Sequence, residues 1–241
     1  MDRRLLSAKP IPPRERLIVA LDVPDPGEAR RLVATLGDAV HFYKLGLELF
    51  LAGGYLELVR ELGAQGKRVF ADLKFFDVPE TVGAAVRQLR GKGADFVTVH
   101  GNDAMLEAAC RERSETKILA VTVLTSLDKG DLQDLGFHCD VRELVLSRAR
   151  RALALGCDGV ISSGLEAAAL RQELGERFLI VVPGIRPVEN RSEDDQKRVM
   201  TPEQALLAGA DHVVVGRPIR NAPDPRGAAL AVQETIARLF G

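Results

Sequence analysis

The stretch RVFADLKFFDVPET, residues 68–81, decides the fold. From Val69 to Leu73 it is apolar except for Asp72, the pattern of a strand buried on both faces of a parallel sheet. Pro79 then stands in the first turn of an amphipathic stretch that stops at Gly91. A strand, a short charged turn and a helix make one β/α unit. Outward from it, the unit recurs. Apolar runs of strand length stand at RLIVALD (16–22), HFYKLG (41–46), DFVTVH (95–100), KILAVTVL (117–124), GVISS (159–163), FLIVVPG (178–184) and HVVVG (212–216). Between them lie helical patterns such as DPGEARRLVATLG (25–37), VRELVLSRARRALALG (141–156) and TPEQALLAGA (201–210), the last with Thr201 as N-cap.

Eight such units predict an α/β chain closed as a single-domain (β/α)8 TIM barrel over residues 16–241, behind a lead-in over 1–15 that is free to be flexible. A doubly wound open sheet is the alternative, but LDVPDPGEA (21–29) lacks the G-x-G-x-x-G of its first turn. The repetition is of structure, with no clear repeat of sequence.

Composition narrows the function. The chain has 241 residues, 46% hydrophobic and 28% charged, with net charge −1. That balance supports a full core and gives no broad attraction to nucleic acid or anionic membrane. No apolar run approaches the roughly 20 residues needed to cross a bilayer. The N-terminal MDRRLLSAKPIPPRER has no long apolar stretch, so no secretory leader is expected. Cys110, Cys139 and Cys157 form no zinc pattern and suit a reducing cytoplasm.

In such barrels catalytic groups sit where strands end. Asp22, Lys44, Asp72, Lys74 and His100 fall at or near strand ends, with Asp77, Thr125, Ser126, Arg186 and Arg217 just beyond. The strand starts show little comparable charge. Residues two apart on a strand share a face, so Asp72 and Lys74 point together, and Lys44 and Asp22 stand at matching ends of neighbouring strands. A buried charge is costly alone and tolerable when paired. A network of this kind fixes an ammonium as proton donor beside a developing carbanion, or it is merely a structural ion-pair network. Gly184, Gly216 and Arg217 occupy the loops that bind phosphate in many barrels, with a tight turn and a solvated arginine as the plainer readings. The polar loop 190–199 reads as a lid or a surface excursion. His41, His138 and His212 read as packing or surface residues. His100 belongs either to the site or to neighbouring loops. Phe75 and Phe76 are expected to pack beneath the charged motif.

DLKFFDVPET resembles the D-x-K-x-x-D-[IV]-P-x-T signature of the orotidine 5'-phosphate decarboxylase family. VTVLTSL (121–127), VVPGIRP (181–187), DDQKRVMTP (194–202) and GADHVVVGRPI (209–219) resemble its later blocks in order. One departure is VHGNDAM (99–105), where many members carry a small residue and a glycine pair in place of Asn102 and Asp103. The resemblance implies decarboxylation of orotidine 5'-phosphate to UMP without metal or organic cofactor, in a cytoplasmic homodimer with composite active sites. By the same resemblance Lys74 gives the proton to C6 and Asp72 lies beside the substrate carboxylate. Lys44 and Asp22 take ribose hydroxyls, and Thr125 and Ser126 touch the pyrimidine. Pro183 lines the substrate site, while Arg186, Gln196, Gly216 and Arg217 surround the phosphate. Asp77 and Thr81 are implied to serve the partner's site. Two rivals stay open: a magnesium-dependent sugar-phosphate decarboxylase sharing D-x-K-x-x-D, and a catalytically silent nucleotide-binding barrel.

Overall fold

Alternate residues of a strand face opposite sides, and the apolar runs accordingly supply two separate cores. In a computed structural model, which describes residues 5–100, 102–186 and 200–241, the described residues form eight strands closed into a parallel barrel in chain order. They are β1 (Leu17–Ala20), β2 (Phe42–Leu45), β3 (Arg68–Phe75), β4 (Phe96–His100), β5 (Lys117–Val121), β6 (Gly159–Ile161), β7 (Leu179–Val182) and β8 (His212–Val215). One set of residues, including Ile18, Phe42, Phe70, Phe96, Leu119 and Val214, fills the barrel interior. The alternate set, including Leu17, Tyr43, Val69, Val97 and Val213, packs outward under the helices. The expected (β/α)8 TIM barrel is the fold found.

The helices start where capping chemistry puts them. Asp25 accepts the Glu28 N–H at 2.9 Å and opens helix Pro26–Leu36. Thr201 and Gln204 form a reciprocal capping box at helix Pro202–Leu207. Pro79 occupies the first turn of helix Pro79–Gln88.

The bottom of the barrel differs from the sequence reading in three ways. The strand starts do carry charge: Arg68 pairs with Asp95 at 2.9 Å, Arg113 with Asp158 at 2.9 Å, and Arg171 with Asp211 at 2.8 Å. These charges are tolerated because each aspartate also clamps backbone. Asp95, Asp158 and Asp211 accept the N–H of Val69, Ile118 and Ile180 at 2.8, 2.9 and 2.8 Å. Their own N–H groups donate to the carbonyls of those same residues. Second, there is a sequence repeat after all. GADFV (93–97), GCDGV (156–160) and GADHV (209–213) each place the clamping aspartate immediately before a strand, two residues after a glycine with φ of 89°, 89° and 101°. Third, residues 5–15 are tied down. Ser7 Oγ donates to Asp211, and Lys9 Nζ lies 3.1 Å from the same carboxylate. Glu15 O meets His212 Nδ1 at 2.9 Å. His212 is buried between Phe42 and Phe96, which accords with a packing role.

Candidate active site

The site is built around an irregularity in β3. Ala71 pairs with Val97 and Phe75 with Val99, so four residue steps on β3 face two on β4. Asp72 to Lys74 bulge out of the ladder there. Lys74 has φ 47°, the left-handed region that a β-unbranched L-residue enters at a cost of about 1–2 kcal/mol. The sequence reading treated this segment as regular strand. The bulge still sends both side chains into one cavity, by a turn of backbone that period-two alternation does not supply. It also separates the two aromatic residues. Phe75 packs against the core, whereas Phe76 is 66% exposed with its ring edge near His100. The expectation that both pack beneath the motif holds for Phe75 alone.

The charges form an alternating chain. Asp22 Oδ1 lies 2.9 Å from Lys44 Nζ, Lys44 Nζ lies 3.4 Å from Asp72 Oδ2, and Lys74 Nζ lies 2.9 Å from Asp72 Oδ1. Burial works against the Asp72 carboxylate, but Lys44, Lys74 and the Thr98 hydroxyl outweigh it and hold its pKa below the ordinary carboxylate value. Burial likewise opposes the Lys44 ammonium, and Asp72 and Asp22 reverse the balance and raise its pKa. Both groups are therefore ionised at neutral pH. An ammonium carries three donors. Among the described residues, the Lys74 ammonium meets Asp72, leaving it able to serve a ligand at the cavity wall.

That cavity, about 460 Å³, opens at the C-terminal ends of the strands. Asp22, Lys44, Asp72 and Lys74 line one side. Thr125 and Ser126, after β5, line another. Pro183, Gly184 and Arg186 follow β7, and Gly216 and Arg217 follow β8. Arg186 is held by its N–H, which donates to Met200 O at 2.9 Å. At Gly216 an added Cβ would meet only Ala20 Cβ at 3.5 Å, an ordinary contact, so the protein itself does not force glycine there. Asp77 and Thr81 are exposed and do not line this cavity; Asp77 Oδ1 accepts the Val78 N–H. Gln196 and the whole loop 190–199 fall outside the described residues.

Two residues escaped the sequence reading. Thr98, fully buried on β4, donates to Asp72 Oδ1 at 2.9 Å and accepts the Lys74 N–H at 2.9 Å. Its signal was a hydroxyl within an apolar strand, on the parity that faces the interior. Gly46, after β2, leaves room for the charge chain: a Cβ there would stand 3.0 Å from Asp22 Oδ1 and 3.4 Å from Lys44 Nζ. His100 is half-buried, and burial together with Arg148 and Lys74 lowers its pKa, so it is neutral at pH 7. Among the described residues no group of three or more His, Cys, Asp or Glu could hold a metal ion, and no helix is long and apolar enough to cross a membrane.

Fold and cavity together define a class: (β/α)8 barrels with a lysine–aspartate chain at the C-terminal strand ends, sharing one cavity with the loops after β7 and β8. Residues 15–232 match the model of the orotidine 5'-phosphate decarboxylase / HUMPS family, and the chain belongs to that family. It is 65% identical over 235 residues to an orotidine 5'-phosphate decarboxylase of Methylococcus capsulatus, covering 98% of this chain and 97% of that one. It is 52% identical to the protein of the same name from Nitrobacter winogradskyi, covering 93% of each. Its fold is similar to the crystal structure of orotidine 5'-phosphate decarboxylase from Lactobacillus acidophilus, with TM-score 0.81, 36% identity, and coverage of 92% of this chain and 99% of that one.

Proposed function

We propose that this protein converts orotidine 5'-phosphate to UMP and carbon dioxide, with Lys74 as the proton donor. The observation that carries this reading is the alternating chain Asp22–Lys44–Asp72–Lys74, ending on an ammonium at the wall of a cavity that Gly216 and Arg217 also line. The bond from C6 to the carboxylate breaks, and its electron pair stays on C6. Lys74 delivers a proton to that carbon and becomes a neutral amine, to be reprotonated from solvent. No atom next to C6 accepts the charge, so a fixed ammonium nearby stabilises it electrostatically. Asp72 keeps that ammonium oriented. Arg217 and Arg186 grip the phosphate, with Gly216 permitting close approach, and that remote binding helps hold C6 in place. Thr125, Ser126 and Pro183 face the pyrimidine. Lys44 and Asp22 take the ribose hydroxyls. Gln196 contributes to phosphate binding.

The same reading makes the protein a homodimer. Leu51 is 83% exposed and Phe76 66%, and Leu47, Phe50 and Val78 are also exposed. These residues leave the same ends of the adjacent strands β2 and β3, beside Asp77 and Thr81. An apolar rim there suits a second copy, which would receive Asp77 and Thr81 in its own site. Three free cysteines accord with a reducing cytoplasm. The names carried by relatives at 65% and 52% identity favour the pyrimidine nucleotide over a sugar phosphate.

The test is loss of orotidine 5'-phosphate absorbance with EDTA present, run beside Lys74→Ala. Conversion by the wild type and about 10³-fold less or none by the variant is expected. A wild type that turns over only with magnesium would move the reading to the sugar-phosphate decarboxylases. Tight UMP binding without turnover would move it to a silent binding barrel.

A further inference from the structure

Thr98 lies in the middle of β4 at 0% exposure, on the inward parity between Phe96 and His100. It pairs in register with Leu119 on β5, and the barrel interior that its parity faces is apolar, with Phe70, Phe96 and Leu119 in one cluster. A hydroxyl in such surroundings costs free energy unless it is bonded. It is bonded twice. It donates to Asp72 Oδ1 and accepts the Lys74 N–H, each at 2.9 Å. The bulge lifts Lys74 out of the ladder between the Ala71–Val97 and Phe75–Val99 pairs, so its N–H needs a partner other than a ladder carbonyl. Thr98 supplies one, at the residue whose φ of 47° departs furthest from strand geometry. The same oxygen fixes the carboxylate that holds the Lys74 ammonium at 2.9 Å. Thr98 is not among the cavity-lining residues, so it reaches a ligand only through Asp72 and Lys74.

We infer that Thr98 is a positioning residue for proton transfer: a single hydroxyl ties the Asp72 carboxylate to the strained backbone of Lys74, and so sets where the ammonium points. The inference rests on the functional reading above. It predicts that the hydroxyl matters and the methyl does not. Valine keeps the shape and removes both hydrogen bonds, serine keeps the hydroxyl, and cysteine keeps the size with a weak donor.

The experiment measures kcat and KM for orotidine 5'-phosphate in wild type, Thr98→Val, Thr98→Ser and Thr98→Cys, with kcat referred to the concentration of UMP-binding sites. Thr98→Val is expected to lose about 30-fold in kcat with KM within about 3-fold, and Thr98→Ser to stay within about 3-fold of wild type. Wild-type kcat in Thr98→Val overturns the inference, as does a Thr98→Ser as slow as the valine variant. A change confined to KM also overturns it, because positioning of the donor acts on the chemical step. Should Thr98→Val not fold, the comparison of cysteine with serine decides: a cysteine variant about tenfold slower than serine supports the inference, and equal rates overturn it. Absence of turnover in the wild type overturns the functional reading and this inference with it, an outcome distinct from the failure of Thr98 alone.

Discussion

At the bottom of the barrel Asp211 is fully buried and takes Ser7, Lys9, Arg171 and the Ile180 N–H. At the top Asp72 is 8% exposed and takes Lys44, Lys74 and Thr98. Both carboxylates are held below their ordinary pKa by cations that outweigh the effect of burial. Neither burial nor pairing tells the two apart. What differs is what each network faces. The bottom network is surrounded by the lead-in, the strand starts and helix Gly164–Leu174. The top chain ends on a lysine whose side chain is 34% exposed and lines a cavity. A buried charge cluster thus reads as structural when the chain encloses it, and as a site when its last member meets open space.

Substitution at each end breaks that comparison most directly. Lys74→Ala is expected to lose about 10³-fold or more in turnover with little change in the denaturant midpoint. Asp211→Ala is expected to do the reverse. It leaves Arg171 and Lys9 without their buried partner, which costs about 3–5 kcal/mol in a urea melt, while kcat per folded site is kept. Loss of kcat without loss of stability in Asp211→Ala would show that the bottom network reaches the chemistry.

The bottom end also carries a pH dependence, stronger than that of the half-buried His100 at the top. Burial drops the His212 pKa from 6.5 to about 4. Between those values the unfolded chain binds a proton that the folded chain refuses. Its contribution is full above about pH 6.5 and declines as pH falls towards 4, by on the order of 3 kcal/mol. Urea melts from pH 7 to 4 should show this slope, and His212→Gln should flatten it even though it packs less well. An equal slope in the variant would assign the dependence to the carboxylates or to His41 and His100, whose pKa values burial also lowers. The smallest effect belongs to the top. Gly46→Ala places a methyl 3.0 Å from Asp22 Oδ1 and should lower kcat/KM about 3- to 10-fold with stability nearly unchanged. A wild-type value would mean that the chain tolerates a shift of a few tenths of an ångström.

Much of this was legible in residue order alone. Buried parallel strands announce themselves as apolar runs; seven of the eight fall within the expected stretches, and β3 runs one residue past the expected 68–74, to Phe75. Asp22, Lys44, Asp72 and Lys74 were legible because strand ends face one mouth. Thr98 was less so, because a lone threonine in DFVTVH is ordinary strand composition until its parity is set against the bulge. The bulge itself left no sign, since a left-handed lysine has no distinctive neighbour pattern. The bottom network was hidden by distance: Ser7 and Asp211 are 204 residues apart and meet only when the barrel closes. Its repeated G-x-D-x-V stands in the sequence, but each copy lies at the edge of a different strand, so the clamps it makes show only in the folded barrel.

That repeat bears on the order of assembly. The aspartate clamps join Asp95 to Val69, Asp158 to Ile118 and Asp211 to Ile180, across 26, 40 and 31 residues. Each closes a short loop and pins the register of two consecutive strands β3–β4, β5–β6 or β7–β8, at a modest entropic cost. The chain can therefore build three paired segments independently before any of them meets the others. Only the seam between β1 and β8, where Leu17 meets Val213, spans nearly the whole chain. Asp211 stands beside that seam, and its carboxylate gathers Ser7 and Lys9 from the far end of the sequence. The last of three register pins is thereby also the latch that closes the ring.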